Sequence, residues 1–310
     1  MKPSFLAARA DARWAGAPKE LRGSCDGVAF EVRGRWWGKR WSVTSEASFP
    51  MPEPLLLFAS RKGMEHGFWR DFRVGDPAFD HRHFVFSDTP ALLPFIVGPE
   101  TRLALGARTA LDDALTLYVL DGVSRVTGQN DADDDTAVAR HLDVHRALAA
   151  DHQAFLTVWA ELVSSAQGRA DPRWPPTGTV MNPVGALRLY LTWAEAARRD
   201  ADWSGREDSL RTNLAGNDGR QRSRWSLREA EPFEAHDLEL SAGRYLVTGT
   251  PTLSKPVLEA LVLRGKIVAI SSAAQVRVAV RGLATTGQLQ AMLRLLETLL
   301  QAADSGSPYR

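Results

Sequence analysis

Cations and aromatic rings are interleaved between residues 33 and 41. The residues concerned are Arg33, Arg35, Trp36, Trp37, Lys39, Arg40 and Trp41. Guanidinium and ammonium groups bind phosphates and indoles stack on unpaired bases, so this stretch could bind single-stranded nucleic acid or another anionic surface. The structural alternative, which we prefer, is a β-hairpin with one face on the core and arginine stems lying over the indoles.

Two carboxylates and two imidazoles cluster further along the chain, at Asp76, Asp80, His81 and His83. Such a group could transfer protons as a general acid and base. Turn-forming aspartates and strand-flanking histidines explain the same residues, because no nucleophile or oxyanion donor is recognisable beside them.

Three histidines share one face of a predicted helix. His141, His145 and His152 are related as i, i+4 and i+11, which places them within about 40° of one another around the axis. The first pair could chelate a metal, but His152 lies about 10 Å further along the axis, too far to complete a tetrahedral site. Apolar side chains occupy the same face, namely Leu148, Phe155 and Trp159. We therefore predict partly buried, hydrogen-bonded histidines and no metal site.

Motifs of the commonest enzyme classes are missing. The acidic residues from Asp131 to Asp135 resemble the start of a calcium loop, but Thr136 stands where that loop needs Gly and Leu142 where it needs Glu. The segment 34–39 is one residue too short for a Walker loop and has no Ser or Thr after its lysine. The patterns G-x-S-x-G, H-E-x-x-H and G-x-G-x-x-G do not occur. The sequence therefore predicts no cofactor and no recognisable catalytic set.

The amino-acid composition indicates the class of protein and limits the kinds of partner it can bind. The 310 residues are 44% hydrophobic and 24% charged, with a formal net charge of +1, which is ordinary for a soluble globular protein of two domains. Because the charges nearly cancel, an anionic partner must bind through a local patch. The single cysteine, Cys25, excludes an intrachain disulfide and suits a reducing compartment. No run of about 18 apolar residues occurs, so we expect no transmembrane segment and a cytoplasmic location.

Strand and helix patterns surround the candidate residues. Val28, Phe30 and Val32 alternate with polar residues and predict the first strand of the hairpin. Phe84–Phe86 predicts another strand, after which Ser87–Pro90 supplies capping residues and a proline suited to the first turn of a helix.

Further helices are predicted from 137 to 162, from about 183 to 199, and after Thr285 or Thr286. The turn-rich segment 164–182 predicts a linker between domains. The polar segment 200–230 predicts either a long surface loop or a disordered segment.

The strand-and-helix pattern recurs later in the chain. The matched segments are Phe84–Phe86 with Tyr245–Val247, Thr89–Leu92 with Thr250–Leu253 and, with one residue deleted, Thr116–Gly122 with Val276–Gly282. The first two matches need no gap at a shift of 161 residues, which is 250 − 89. Amphipathic segments can resemble each other by chance, but we favour an internal duplication.

The segment from Val74 to Pro99 resembles an uncharacterised bacterial domain family with the motif D-P-x-F-[DE]-x-x-F-x-V, a short capped helix and antiparallel strands. The residues that carry the resemblance are Val74–Asp80, Phe84–Asp88, Leu92–Leu93 and Gly98–Pro99. It covers about residues 27–130, and the second half of the chain looks like a degenerate copy. Family members are often membrane-attached or fused to other modules, whereas this sequence shows no apolar anchor. The resemblance implies a fold but no activity.

The sequence thus predicts an α+β protein of two related modules, each of antiparallel strands with packed helices, plus a connecting helix. The predicted boundaries are 1–163 for the first module with an N-terminal arm, 164–182 for the linker and 183–310 for the second module with its polar loop. We expect a non-enzymatic protein-interaction or scaffold function, with another protein as the partner. The first alternative is a binding module for an anionic polymer that uses the hairpin, and the second is an enzyme that uses the cluster from Asp76 to His83.

Overall fold

A computed structural model of the chain describes residues 13–15, 19–25, 28–37, 40–48, 56–62, 71–87, 93–106, 115–120, 122–130, 135–171, 177–183, 185–193, 210–217, 224–230, 236–240, 243–249, 255–272 and 275–302. Within these residues the protein is an α+β structure whose strands form two antiparallel sheets. Contacts divide the chain into two compact units, with the first reaching Phe155 and the second beginning at Leu156. The fold class predicted from the sequence is confirmed.

The first unit contains an eight-stranded sheet. Its strands are β1 (Arg13–Ala15), β2 (Lys19–Cys25), β3 (Val28–Trp37), β4 (Arg40–Ser48), β5 (Leu57–Arg61), β6 (His83–Ser87), β7 (Thr116–Leu120) and β8 (Val123–Asn130). Their order across the sheet is β1-β2-β3-β4-β8-β7-β5-β6. The predicted hairpin is present, since β3 and β4 pair in an antiparallel register. The segment predicted to be an N-terminal arm contributes β1 and β2 to this sheet.

The sheet has a core-facing side because its side chains alternate. Along β4, Val43, Ser45 and Ala47 are buried, whereas Thr44 and Glu46 between them are partly exposed. A strand turns successive side chains to opposite faces, so this period of two buries one face against the unit's helices.

The helices described in the first unit are α1 (Pro77–Arg82), α2 (Leu93–Ile96), α3 (Pro99–Gly106) and α4 (Asp135–Ser164), of which α4 continues into the second unit. Asp151 of α4 accepts hydrogen bonds from the backbone nitrogens of Thr101 at 2.8 Å and Glu100 at 3.3 Å. A carboxylate is favourable there because the first turn of α3 carries unpaired N–H groups and the positive end of the helix dipole. Gly98 leaves room for it, since a Cβ at that position would lie 2.5 Å from the Asp151 carboxyl carbon.

The second unit contains a nine-stranded sheet. Its strands are β9 (Arg169–Asp171), β10 (Thr177–Asn182), β11 (Gly185–Trp193), β12 (Leu210–Gly216), β13 (Trp225–Glu229), β14 (Leu238–Leu240), β15 (Gly243–Thr248), β16 (Ile267–Ser272) and β17 (Val276–Arg281). Their order is β14-β15-β13-β16-β17-β12-β11-β10-β9.

One face of this sheet packs against the last residues of α4 and against two helices, α5 (Lys255–Gly265) and α6 (Thr286–Ala302). The start of α6 is a capping box. The Gln288 nitrogen donates to Thr285 Oγ1 at 3.2 Å, and the Thr285 nitrogen donates to Gln288 Oε1 at 2.9 Å. The helix expected after Thr285 or Thr286 is therefore confirmed. None of the described helices combines the length and apolarity needed to cross a membrane.

The helix expected over about 183–199 is wrong, because its described part is strand β11. Leu187, Tyr190 and Leu191 have helical spacing, but Leu187 and Leu189 are buried while Arg188 between them is exposed. Burial therefore alternates with a period of two, as it does in a half-buried strand. The connecting helix of the predicted fold therefore does not exist over residues 185–193.

Two segments expected to be irregular also contribute strands. The segment 164–182 ends α4 and contains β9 and β10, while 200–230 contains β12 and β13. Leu214, Trp225 and Leu227 from the second segment are at most 1% exposed and lie in the core. The high proportion of polar residues there reflects half-buried strands and their connections.

The two sheets have the same strand order. Read from β9, the second sheet is β9-β10-β11-β12-β17-β16-β13-β15, which corresponds strand by strand to β1-β2-β3-β4-β8-β7-β5-β6, with β14 added at one edge. The helices also correspond in chain order, since α2 and α3 lie between β6 and β7, α5 lies between β15 and β16, and α4 and α6 each follow the last strand of their sheet.

The structure corrects the alignment of the two halves that the sequence predicts at a shift of 161 residues. Both Phe84–Phe86 and Tyr245–Val247 are strands, but Val85 faces the core of its unit, whereas Tyr245 and Val247 face the core of theirs. The shift of 161 therefore places outward-facing residues on inward-facing ones. The sheet order also aligns Thr116–Leu120 with β16, not with β17 as the sequence match has it. The predicted helix starts at Pro90 and Pro251 lie outside the described residues.

Candidate functional site

The hairpin between residues 33 and 41 is described mainly by its backbone. Trp36 stands opposite Trp41, Trp37 opposite Arg40 and Arg35 opposite Ser42. Arg33 is the cation of the predicted site whose side chain the structure describes, and it contacts Glu31 Oε1 with Nη2 at 2.8 Å. Lys39 lies outside the described residues, so the binding role of the hairpin stays a prediction.

The cluster from Asp76 to His83 is brought together around the short helix α1. Asp76 Oδ1 accepts from the nitrogens of Ala78 at 3.0 Å and Phe79 at 3.1 Å, and so caps the helix. The two carboxylate oxygens of Asp80 accept from the nitrogens of Val74 at 2.9 Å and Gly75 at 3.2 Å. Both carboxylates therefore hold the backbone around the turn.

The two histidines of this cluster differ in environment. His83 is buried, its Nδ1 lies 3.2 Å from the Phe79 carbonyl oxygen, and its ring stacks on the Phe79 ring at 4.0 Å. Burial lowers the pKa of His83. Burial raises the pKa of Asp80, and this effect outweighs the two backbone hydrogen bonds, which lower it. His81 is exposed. Asp76 also lies near a cation, since its Oδ2 is 3.7 Å from Nε of Arg102. The catalytic role of this cluster stays a prediction.

The histidines of α4 form a buried network with two serines of the sheet. Ser45 Oγ lies 2.8 Å from His145 Nε2 and 3.1 Å from His141 Nδ1. Ser124 Oγ lies 2.8 Å from His145 Nδ1 and donates to the Ala47 carbonyl oxygen at 3.2 Å. His152 is buried too, as predicted, but its ring is not part of this network.

One assignment of the histidine tautomers satisfies these contacts. With Ser124 donating its hydroxyl hydrogen to Ala47, Nδ1–H of His145 donates to Ser124, and Nε2 of His145 accepts from Ser45. Ser45 then accepts from Nδ1–H of His141. Among the described residues no hydrogen-bond partner reaches Nε2 of His141, which faces the bare Cα of Gly128.

Both imidazoles are therefore held in the neutral form. Burial lowers the pKa of His141 to about 3, with the nearby His145 as the second cause, and burial lowers the pKa of His145 to about 4. Within the described chain no group of three or more His, Cys, Asp or Glu residues could hold a metal ion. The network stabilises the packing of α4 on β4 and β8.

A different candidate site lies on the second sheet. Its outer face consists of the residues that alternate with the core-facing ones, and it is rich in arginine. The residues are Arg169, Arg188, Arg211, Arg228, Arg244, Arg277 and Arg281, all exposed except Arg211, which is partly buried. On β17, for example, Arg277 and Arg281 are exposed while Val276, Val278 and Val280 are fully buried.

Three of these arginines lie in one line across the strands. Arg169 pairs with Thr179, Thr179 with Arg188, Arg188 with Ala215, and Ala215 with Arg277. Neighbouring strands are about 4.8 Å apart, so successive arginine Cα atoms lie about 10 Å apart and the line is about 19 Å long. We call Arg169, Arg188 and Arg277 the arginine row.

The arginine row has no opposite charge within ion-pair distance among the described residues. The Arg188 guanidinium lies over the ring of Tyr190, 5.3 Å from its centroid. The outer face of the first sheet is different. There Glu31 contacts Arg22 at 3.2 Å and Arg33 at 2.8 Å, and Glu46 contacts Arg125 at 2.7 Å. The positive charges of these arginines are therefore neutralised by glutamates on the first sheet, whereas those of the arginine row have no such partner among the described residues.

Further cations surround Arg211 near the row. Burial lowers the pKa of Arg211, and the charges of Arg281, Arg277 and Arg228 lower it further, while Glu229 acts in the opposite direction. Glu229 also forms an ion pair with Arg281. Positive charge therefore exceeds negative charge at this part of the face.

Comparisons with known proteins assign no family. No protein-family model matches this chain. No curated protein matches it either. A crystal structure of the mycobacterial trehalose monomycolate transport factor A, TtfA, has similar parts, with a TM-score of 0.33, 13% identity, and coverage of 44% of this chain and 74% of that chain. This likeness is too weak to support an argument about fold or function.

The arginine face was missed in the sequence although part of its signal is visible there. The run Val276–Arg281 alternates valine or alanine with arginine at two outward positions, and Arg188 stands between Leu187 and Leu189. Alternation could have placed these arginines on exposed faces. It could not have shown that β9, β11 and β17 carry them in one line, because that depends on the register of strands distant in sequence.

Proposed function

We propose that this chain is a non-enzymatic interaction protein, and that the outer face of its second sheet is the surface that binds an anionic partner. The supporting observation is the arginine row, in which three exposed cations lie in line and no carboxylate of the described residues is within ion-pair distance. Uncompensated charge costs stability unless a partner supplies the opposite charge. A reducing, cytoplasmic location belongs to the same proposal and rests on the single cysteine.

Binding explains this face better than catalysis does. Guanidinium groups remain protonated at all working pH values, so they serve to hold anions and not to exchange protons. The acid–base cluster of the first unit, in contrast, uses Asp76 and Asp80 to hold backbone nitrogens. A scaffold role with a protein partner, the first expectation from the sequence, is compatible with the proposal if that partner presents an acidic surface.

The test compares two variants of equal charge on a heparin column. Arg169→Gln/Arg188→Gln/Arg277→Gln removes the arginine row, and Arg22→Gln/Arg33→Gln/Arg125→Gln removes three exposed arginines of the first sheet that contact glutamates. We expect the row variant to elute at clearly lower salt than the wild type and the control variant to elute close to it. Equal shifts in both variants, or no retention of the wild type, would refute the proposed function.

A further inference from the structure

Resting on that proposed function, we infer that the partner is a single nucleic-acid strand, bound through its phosphodiester backbone along the arginine row. The row crosses five strands, from β9 to β17. A linear polymer with a charge at every repeat can meet all three arginines at once, whereas a compact anion cannot, because the Cα atoms of the outer two lie about 19 Å apart.

Arginine suits a phosphate ligand. Every cation on the described outer face of the second sheet is an arginine, in a chain in which arginine outnumbers lysine throughout. A guanidinium presents a planar fork of donors that binds two phosphate oxygens at once, while an ammonium acts as a point charge.

The surroundings of the row provide further contacts for a backbone. Thr179 lies between Arg169 and Arg188 in the line and is exposed, so its hydroxyl can donate to a phosphate oxygen. The cations around Arg211 lie on the same face and extend the positive surface beside the row. An anion bound there would reduce the repulsion among Arg211, Arg277 and Arg281.

Base recognition is not supported by this face. Tyr190 is its one described aromatic residue next to the row, and the Arg188 guanidinium lies over its ring. Stacking platforms need several accessible rings. We therefore expect binding without preference for base sequence.

Protein and membrane partners fit less well. Protein interfaces depend on a desolvated centre of aromatic and aliphatic anchors, but the central residues of this face are the small, buried Asn213, Ala215 and Ala279. Insertion into a bilayer needs a band of exposed apolar side chains. Among the described residues of this face, Met181 is the large hydrophobic side chain that is exposed.

The experiment measures fluorescence anisotropy of labelled 20-nucleotide dT and dA strands with the full chain across a range of salt concentrations. We expect binding of both strands within a few-fold of each other. A single strand releases about 0.7 counterions per phosphate neutralised, so the Arg169→Gln/Arg188→Gln/Arg277→Gln variant should lose about 2 units from the slope of log K against log salt. Its affinity at 0.1 M salt should fall by about tenfold or more. The matched variant Arg22→Gln/Arg33→Gln/Arg125→Gln should keep both slope and affinity.

A variant that keeps the three positive charges shows whether weaker binding results from lost charge or from a disturbed fold. Arg169→Lys/Arg188→Lys/Arg277→Lys should restore the salt slope and bind with an affinity between those of the wild type and the glutamine variant. A lysine variant as weak as the glutamine variant, a more than tenfold preference for one base, or unchanged slope in the glutamine variant would each overturn the inference.

Two further probes distinguish this inference from the proposed function. Poly-glutamate and vesicles containing phosphatidylserine are tested with the same variants. Row-dependent binding to either probe without binding to the oligonucleotides would overturn the nucleic-acid inference and leave the proposed function in place. Absence of binding to all probes, including heparin, would overturn both.

Discussion

At the scale of single residues, the imidazole of His145 decides how α4 lies on the first sheet. It meets a serine hydroxyl at each ring nitrogen, at 2.8 Å in both cases. A buried polar group is costly when unpaired, so sliding α4 along the sheet would break two hydrogen bonds in the core. The network therefore favours one register of helix on sheet, which apolar contacts alone would define less sharply.

The same residues predict how stability depends on pH. In the unfolded chain a histidine titrates near pH 6.5, whereas in the fold the pKa of His141 is about 3 and that of His145 about 4. The unfolded state therefore binds more protons between these values, and the free energy of unfolding should fall as the pH drops below about 6.5 and level off below the folded pKa values. Thermal melts from pH 8 to pH 3 measure this.

The His141→Gln/His145→Gln variant should flatten that dependence. Carboxylates also titrate at the acidic end, so the quantity to follow is the difference in melting temperature between variant and wild type. His81→Gln is the control, because His81 is exposed in the same unit, and it should reproduce the wild-type curve. A wild-type melting temperature that rises by several degrees with Zn²⁺, and does not rise in the double variant, would contradict the packing role and indicate a metal site.

At the scale of elements, the hairpin of β3 and β4 is another place where cations occur together with aromatic residues, and it gives a direct comparison with the arginine row. We expect Arg35→Ser/Lys39→Ser/Arg40→Ser to leave oligonucleotide affinity within about twofold of the wild type, because the row and not the hairpin carries the binding in our proposal. If these three side chains are exposed, the melting temperature should also change little, since surface substitutions usually alter stability by about 0.5 kcal/mol or less. Loss of binding in this variant alone would restore the hairpin alternative.

The elements that the sequence predicts well are those with a strong local signal. α4 and α6 are long, α6 starts with a capping box, and the β3–β4 hairpin alternates cleanly before its turn. β11 is different, because Leu187, Tyr190 and Leu191 fit a helical period and Leu187, Leu189 and Leu191 fit a strand. Only the neighbouring strands β10 and β12, which contribute its backbone hydrogen bonds, decide between the two.

The candidate site was harder to predict than the elements for a physical reason. Arg169 and Arg277 are far apart in sequence, and the register of four successive strand pairs brings them into one line. A one-residue slip in any pair would turn a strand's arginines to the core face. Local patterns drew attention to the hairpin instead, because its cations and rings are adjacent in the chain.

At the scale of the whole molecule, the common strand order of the two units suggests a duplication followed by specialisation of one outer face. The first unit covers the outer faces of β5 and β7 with packed rings, such as Phe58 against Tyr118 at 4.8 Å, and pairs its arginines with Glu31 and Glu46. On the second unit, the three arginines of the row have no carboxylate within ion-pair distance among the described residues. Two copies of one fold would thus have diverged at solvent-facing positions while their core-facing alternation was kept.

The hypothesis of an internal duplication predicts how the two units superpose on each other. Val85 pairs with Ala59 and faces the first core, while Tyr245 and Val247 face the second core. We therefore expect the best superposition of β6 on β15 to use an offset of 160 or 162 residues, which are 245 − 85 and 247 − 85, so that inward residues fall on inward residues. An optimal superposition that places Phe86 on Val247, or that fails to match β5, β7 and β8 with β13, β16 and β17, would contradict a common origin. Core-facing residues should hold this register because a slip by one residue would move an entire apolar face into solvent.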